Sequence, residues 1–225
     1  MFTKLIFYSP SHTIDTKNGT NGTELLKNPT YSQCVNAEND LQFGQVASAQ
    51  VTFETRYTGI TKNTSFDFYT WQECDNSWRL IGKFFVNDIQ KNEYNYTITA
   101  YDNICKLDVD CSNYLKTSSA TTIWTLYSGI ISWLRLTNGN SSSFIVNGDM
   151  DVTPSKLATA GVTARTIMHY IAEAVGAFIV AKPDGSIYLD IFGAPNGVIK
   201  NVTSSDYSDL IIADQPAPKP TSINV

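Results

Sequence analysis

Charge is scarce in this chain: Asp, Glu, Lys and Arg make up 16% of its 225 residues, where soluble domains carry about 25%. Neutral Asn, Ser and Thr must therefore cover the surface, which favours turns and strands over long exposed helices. Basic residues nowhere run together and the net charge is -5, so no phosphate-gripping surface and no sequence-specific nucleic-acid partner is expected. Long apolar runs are missing as well. Ile123 to Leu136 is interrupted by Thr125, Ser128, Ser132 and Arg135 and falls short of the ~20 residues that cross a bilayer. No membrane span is expected. Lys4-Leu5-Ile6-Phe7-Tyr8 breaks at Ser9-Pro10, too early for a secretory signal, and reads as a first strand.

Acid-base and metal chemistry also lack residues. The chain has two histidines. His12 falls in a loop region with no partner nearby in sequence, and His169, four residues before Glu173, reads as half of an exposed helical pair. Cys34, Cys74, Cys105 and Cys111 form no CxxC pair and have no accompanying histidine cluster, so buried or incidental thiols are expected. A Cys105 to Cys111 bridge across a short turn is the alternative. Asp102, Asp108 and Asp110 make the densest carboxylate stretch, yet the residues after Asp110 do not continue a calcium-loop ligand pattern. Capping of short helical turns accounts for them better. Asn147-Gly148-Asp149-Met150-Asp151 reads as a turn. No nucleophile elbow, zinc-protease helix, phosphate loop or dinucleotide glycine fingerprint occurs, and Gly193 to Gly197 is a loop interrupted by Pro195. The expected assignment is a non-enzyme with no catalytic, cofactor-binding or metal-ligating residue. Six Asn-x-Ser/Thr triplets, at Asn18, Asn21, Asn63, Asn95, Asn140 and Asn201, follow from composition.

What the chain does have is alternation. Ala47, Ala49, Val51 and Phe53 alternate with polar residues, as do Tyr94, Tyr96, Ile98 and Ala100, the period of strands with one buried face. Phe66 to Trp71 and Trp78 to Ile89, parted by Asp75-Asn76-Ser77, predict a hairpin. Asp15 to Asn21 is a polar, mobile loop on composition. After Tyr101 the period changes. Short helical turns are expected over Asp102 to Tyr114, with Ile104, Leu107 and Leu115 turned inward. An amphipathic helix follows through Ile123, Leu126, Tyr127, Ile130 and Leu134, capped by hydroxyls in Ser118 to Thr121. Ser143 to Val146 is a candidate short strand. Thr163 caps a second helix whose expected apolar face is Ile167, Tyr170, Ile171, Ala174 and Val175, with Gly176 as its stop. Phe178 to Ala181 and Ile187 to Phe192, joined by Pro183-Asp184-Gly185, predict a second hairpin. Asp209 to Ala213 is strand-like.

The fold class expected is mainly β: an antiparallel β-barrel or sandwich split by an α+β domain. Residues 1–100 supply the first part of the barrel, 101–205 the insert, and 206–225 the returning strands. Trp71, Trp78, Trp124 and Trp133 allow a carbohydrate-binding or host-adhesion module as an alternative function, although buried cores and interfaces are their commoner use.

The run from Tyr96 through the Ala100-Tyr101-Asp102 triplet to Leu115 resembles a segment of tail hub proteins of phages infecting Gram-positive bacteria. There a barrel strand passes into a short helix. Thr163 to Ile167, Ile171-Ala172-Glu173, Gly176, Phe178 and Asp184-Gly185 are similar to the helix and hairpin of that family's inserted domain. Leu41 to Ala49 fits its early strand, and Ile81-Gly82-Lys83-Phe84 its next turn into a strand. The order of these motifs along the chain carries the resemblance.

The resemblance implies a structural hub or adaptor in the virion tail, assembled in the bacterial host cytoplasm. Such a hub is a homotrimeric ring joining the tail tube or distal tail protein to a central spike, fibre or lysin. Its first β-barrel is split by an α+β insert and a second barrel follows, whereas this chain ends at Val225, about where the first barrel would be completing. It therefore corresponds to the front part of a hub. The peptidoglycan-cleaving region of some relatives lies further downstream, which leaves a cell-wall-degrading tail enzyme as a remote alternative.

Overall fold

The computed structural model describes residues 2–33, 44–46, 48–118, 122–140 and 161–191. Among them the dominant element is an antiparallel sheet of seven strands, β1 (Thr3–Tyr8), β2 (Ser11–Asp15), β3 (Leu25–Ser32), β4 (Gln50–Thr55), β5 (Ser65–Gln72), β6 (Ser77–Lys91) and β7 (Tyr96–Tyr101), in the order β2-β1-β5-β6-β7-β4-β3. The expected alternation builds it. Val51 and Phe53 on β4 and Ile98 and Ala100 on β7 are buried, in the register Val51 to Ala100 and Phe53 to Ile98. Phe66 stands at the centre of this core, with ring centroids 5.2 Å from Phe7, 5.6 Å from Phe53 and 5.9 Å from Phe84.

The sheet curls into a half-barrel, and the chain between its two edge strands shows how. Asp15, the last residue of β2, bridges Asn21, and His12 on β2 holds Glu24, one residue before β3 begins, at 2.6 Å. The outermost strands are thereby drawn together at one end. The connection is ordered by a single buried carboxylate: Asp15 accepts from the N–H groups of Lys17 and Asn18 and from the Asn18 amide. The mobile loop expected here is a closed Asx-type turn.

Beyond Tyr101 the chain forms a 3-10 turn (Asn103–Leu107), α1 (Ser112–Thr117), α2 (Ile123–Trp133), α3 (Ala164–Ala174), β8 (Ala177–Ala181) and β9 (Ile187–Ile191). These elements share a second core, built from Val46 and from buried residues between Ile104 and Leu189, separate from the one beneath the large sheet. Gly176, with φ +65, turns the chain from α3 into the β8–β9 hairpin, where a side chain would strain the backbone. A mainly β protein with an antiparallel sheet and a small helical insert is what the sequence predicted.

Several local expectations change. Tyr94 lies outside β7 and is 82% exposed. Ile81-Gly82 is no turn into a strand; it lies within β6, where Phe68 faces Gly82, Tyr69 faces Leu80 and Ile81 bulges out. The α2 cap is Thr122, which forms a reciprocal capping box with Thr125. On α3 the buried face is Ala164, Ile167, Met168, Ile171 and Ala172, while Tyr170 is 55% exposed. The methionine and the small alanines pack inward, and the amphipathic Tyr170 keeps its hydroxyl in water. Ser143 to Val146, Asn147 to Asp151, Gly193 to Gly197, Asp209 to Ala213 and Cys34 lie outside the described residues.

Candidate functional site

The residues that the sequence singled out between Asp102 and Asp110 stand where the two cores meet, and each carboxylate has its own partner. Asp102, 4% exposed, accepts from Ala49 N at 2.9 Å and from Ile104 N at 3.0 Å, and its own N–H donates to Ala49 O at 3.1 Å. It caps the 3-10 turn and clamps that turn to the residue before β4. Burial pushes its carboxyl up to about 6, against the opposing pull of those two N–H groups and of Arg165. Asp110 accepts from Ser112 N at 2.8 Å at the start of α1, and hydrogen bonding from the Ser112 hydroxyl and then from this N–H holds its carboxyl below the usual range. Asp108 faces Arg165. Asp102 performs the capping role expected of it, whereas the N-cap of α1 is Cys111 and Asp110, the acceptor, stands one residue further out; no group of three His, Cys, Asp or Glu among the described residues is arranged to hold a metal.

Arg165, the second residue of α3, ties that helix to two other segments, the stretch ahead of β4 and the 3-10 turn. Its guanidinium donates to both Asp108 oxygens at 2.5 and 2.8 Å, to Ser48 Oγ at 3.1 Å, to Ile104 O at 3.1 Å and to Val46 O. Only the planar five-donor fork of arginine can reach so many acceptors at once. The sequence pattern carried one unused signal for it. A cation in the first turn opposes the helix dipole, so its presence there implies strong acceptors elsewhere.

His169, one turn along α3, holds Gly44 O through Nδ1 at 2.6 Å and lies 3.9 Å from Glu173. Its helical pair exists, but the backbone contact is the closer one. Gly44 itself has φ +84, and a Cβ there would sit 2.8 Å from the His169 ring. Residues 44–46 thus lie along β8, with Gly44 N donating to Ala177 O at 2.8 Å and Ile179 N to Gln45 O at 2.9 Å. The part of the Leu41 to Ala49 stretch that is described borders the small hairpin, and the strand of the large sheet starts only at Gln50.

On the far side of this junction Asn140 acts as a substitute strand. Its amide accepts from Leu189 N at 2.8 Å and donates to Leu189 O at 2.9 Å, and Tyr127 OH donates to its oxygen at 3.0 Å. Burial pushes the Tyr127 hydroxyl well above its usual range. In the sequence Asn140 was visible only as one of six triplets.

His12 sits on β2, paired with Glu24 and stacked on Tyr57 at 3.8 Å; the loop placement expected for it is overturned, and its partner lies twelve residues on, just before the far edge strand of the sheet. Among the described residues Cys74, Cys105 and Cys111 are free thiols. Cys111 is buried and donates to Val162 O, so the alternative bridge to Cys105 is not formed. Trp71 and Trp78 pack edge to face at 5.4 Å across the β5–β6 hairpin, with Lys17 over the first ring and Lys4 over the second. Trp133 stacks on Tyr114.

Neither a family model nor a curated protein matches the sequence. Among solved structures the chain is similar to the 43 kDa tail protein of prophage MuSo2 from Shewanella oneidensis, with a TM-score of 0.54, 11% identity and 85% of this chain covered. The match takes in 56% of that protein, so the chain spans a little over half of its length. In fold, this chain is like a prophage tail protein.

Proposed function

We propose that this chain is a structural component of a phage or prophage tail tip, a hub or adaptor ring that connects the tail tube or distal tail protein to a central spike, fibre or lysin. The observation that carries the proposal is the fold shared with a prophage tail protein, in which a curled sheet and a helical insert appear together. The order of the hub-like motifs along the sequence supports it independently. In this reading residues 1–100 and 206–225 belong to one β-barrel domain and 101–205 to the insert, and the chain acts as a homotrimer without catalysis. The virion tail is its place of work and the host cytoplasm its place of assembly. A net charge of -5 suits a channel wall that DNA passes without adhering.

Co-expression of the full-length gene product with the adjacent tail proteins, followed by mass photometry and electron microscopy, tests the proposal. A trimeric ring bound to a tail component is expected. Absence of both ring and co-complex would sink it.

The carbohydrate-binding alternative is not favoured by the Trp71 and Trp78 pair, since Lys17 and Lys4 already cover the ring faces on which a sugar would stack.

A further inference from the structure

A cleft of about 570 Å³ opens beside the Arg165 junction, walled by Ser48, Asn63, Asn87, Tyr101, Lys106 and Asp108. That volume lies in the range of small-ligand sites, roughly 300–1,000 Å³. Its chemistry is uneven. Lys106 is partly buried with its ammonium 3.6 Å from the centre of the Phe85 ring, and among the described residues no carboxylate pairs with it. Burial accordingly lowers its pKa. Arg165, the other cation, is already spent on Asp108 and on backbone oxygens. The Asn63 and Asn87 amides and the Tyr101 hydroxyl carry no side-chain hydrogen bond among the described residues.

We propose that this cleft binds a sugar acid of the uronate class, its carboxylate at Lys106 and its ring hydroxyls at Asn63, Asn87 and Asp108. One unpaired ammonium matches one negative charge. A phosphate dianion would bring two negative charges to a cleft that offers one unpaired ammonium. Asp108 and the two amide oxygens accept hydrogen bonds, so the ligand must donate, and an amide that both donates and accepts suits neighbouring hydroxyls. The Tyr101 ring supplies an apolar face for the carbon skeleton. The site stands on these residues alone and does not depend on the tail role proposed above.

Calorimetric and NMR titration of the full chain with sodium glucuronate, glucose and sodium acetate tests this. Glucuronate should shift the amide signals of Tyr101 and Lys106 saturably and bind at least about tenfold more tightly than either control, the ratio that one good charged hydrogen bond provides. Lys106→Met keeps the packing over Phe85 and should lose about that factor. Asn87→Ala, at an exposed position, should weaken glucuronate severalfold while leaving the circular dichroism spectrum unchanged, and it decides the matter if the Lys106 variant does not fold. No saturable binding, glucose or acetate binding as tightly as glucuronate, or undiminished binding in the folded variants would each overturn the proposal.

Discussion

Replacing Arg165 with methionine separates its hydrogen bonds from its packing, because the aliphatic stem is retained and the fork removed. Val46 O and Ile104 O would lose a charged donor at the seam between the two cores. Hydrogen bonds to charged groups contribute about 1.5–3 kcal/mol each. The Asp108 side chain is 56% exposed, so water replaces its partner and that ion pair adds at most about 1 kcal/mol. The expected loss is therefore on the order of 3–7 kcal/mol, a large part of the roughly 5–15 kcal/mol that holds a domain together. Lysine at this position restores the charge but reaches one acceptor in place of four, and should recover less than half of the loss.

Urea denaturation followed by far-ultraviolet circular dichroism measures the total. Hydrogen exchange locates it, since the amides of Asp102 and Ile179 donate across the same junction, to Ala49 O and Gln45 O. Both should exchange faster in Arg165→Met, while Ile98, deep in the large sheet, should follow only the global change. A variant within about 0.5 kcal/mol of the parent, the usual range of surface substitutions, would refute the view that Arg165 ties α3 to the 3-10 turn and to the stretch ahead of β4.

Three further outcomes are expected. Asn140→Ala strands the buried N–H and C=O of Leu189 and should cost about 2–4 kcal/mol, with the Leu189 amide losing most of its exchange protection; unchanged protection there would contradict its role as a substitute strand. Phe66→Ala empties the centre of the aromatic cluster and should destabilise by about 3–5 kcal/mol in the same denaturation assay. Asp102 gives a signed pH dependence: its carboxyl is at about 6 when folded and near 3.9 when unfolded, so the folded chain keeps a proton that the unfolded chain has released. The associated stabilisation is complete below about pH 4 and is lost as the pH rises through about 6, a fall on the order of 3 kcal/mol that Asp102→Asn should abolish.

Period-two alternation was enough to find β4 and β7, because a sheet with one buried face writes its burial directly into neighbouring residues, and the Asp75-Asn76-Ser77 turn signal located β5 and β6. The two helices and the small hairpin were legible for the same local reason. What failed was anything settled by distant chain. His12 looked solitary because Glu24 reaches it only after the chain has crossed between sheet edges. The buried face of α3 was misplaced by counting Tyr170 as apolar, when a ring with a hydroxyl can lie at the rim. Of the cleft, Asn63, Tyr101, Cys105 and Asp108 were noted in the sequence for other reasons and Lys106 and Asn87 were not, and Lys106, Asn63 and Asn87 are brought together from three separate segments. No spacing rule connects them.

The outer edge of the large sheet bears on how such a chain avoids aggregation. Among the described residues β3 pairs on one side only, with β4, which makes it an edge strand of the described sheet. Such an edge recruits stray strands and seeds uncontrolled aggregation. Here Pro29 removes one donor, Lys27 places a cation on the strand, and the pairing slips between Leu25 and Lys27 and again between Lys27 and Thr30. These irregularities spoil the edge as a template. Newly made copies crowded in one cell are thus deterred from zipping together indiscriminately, and remain available for the contacts that side chains specify.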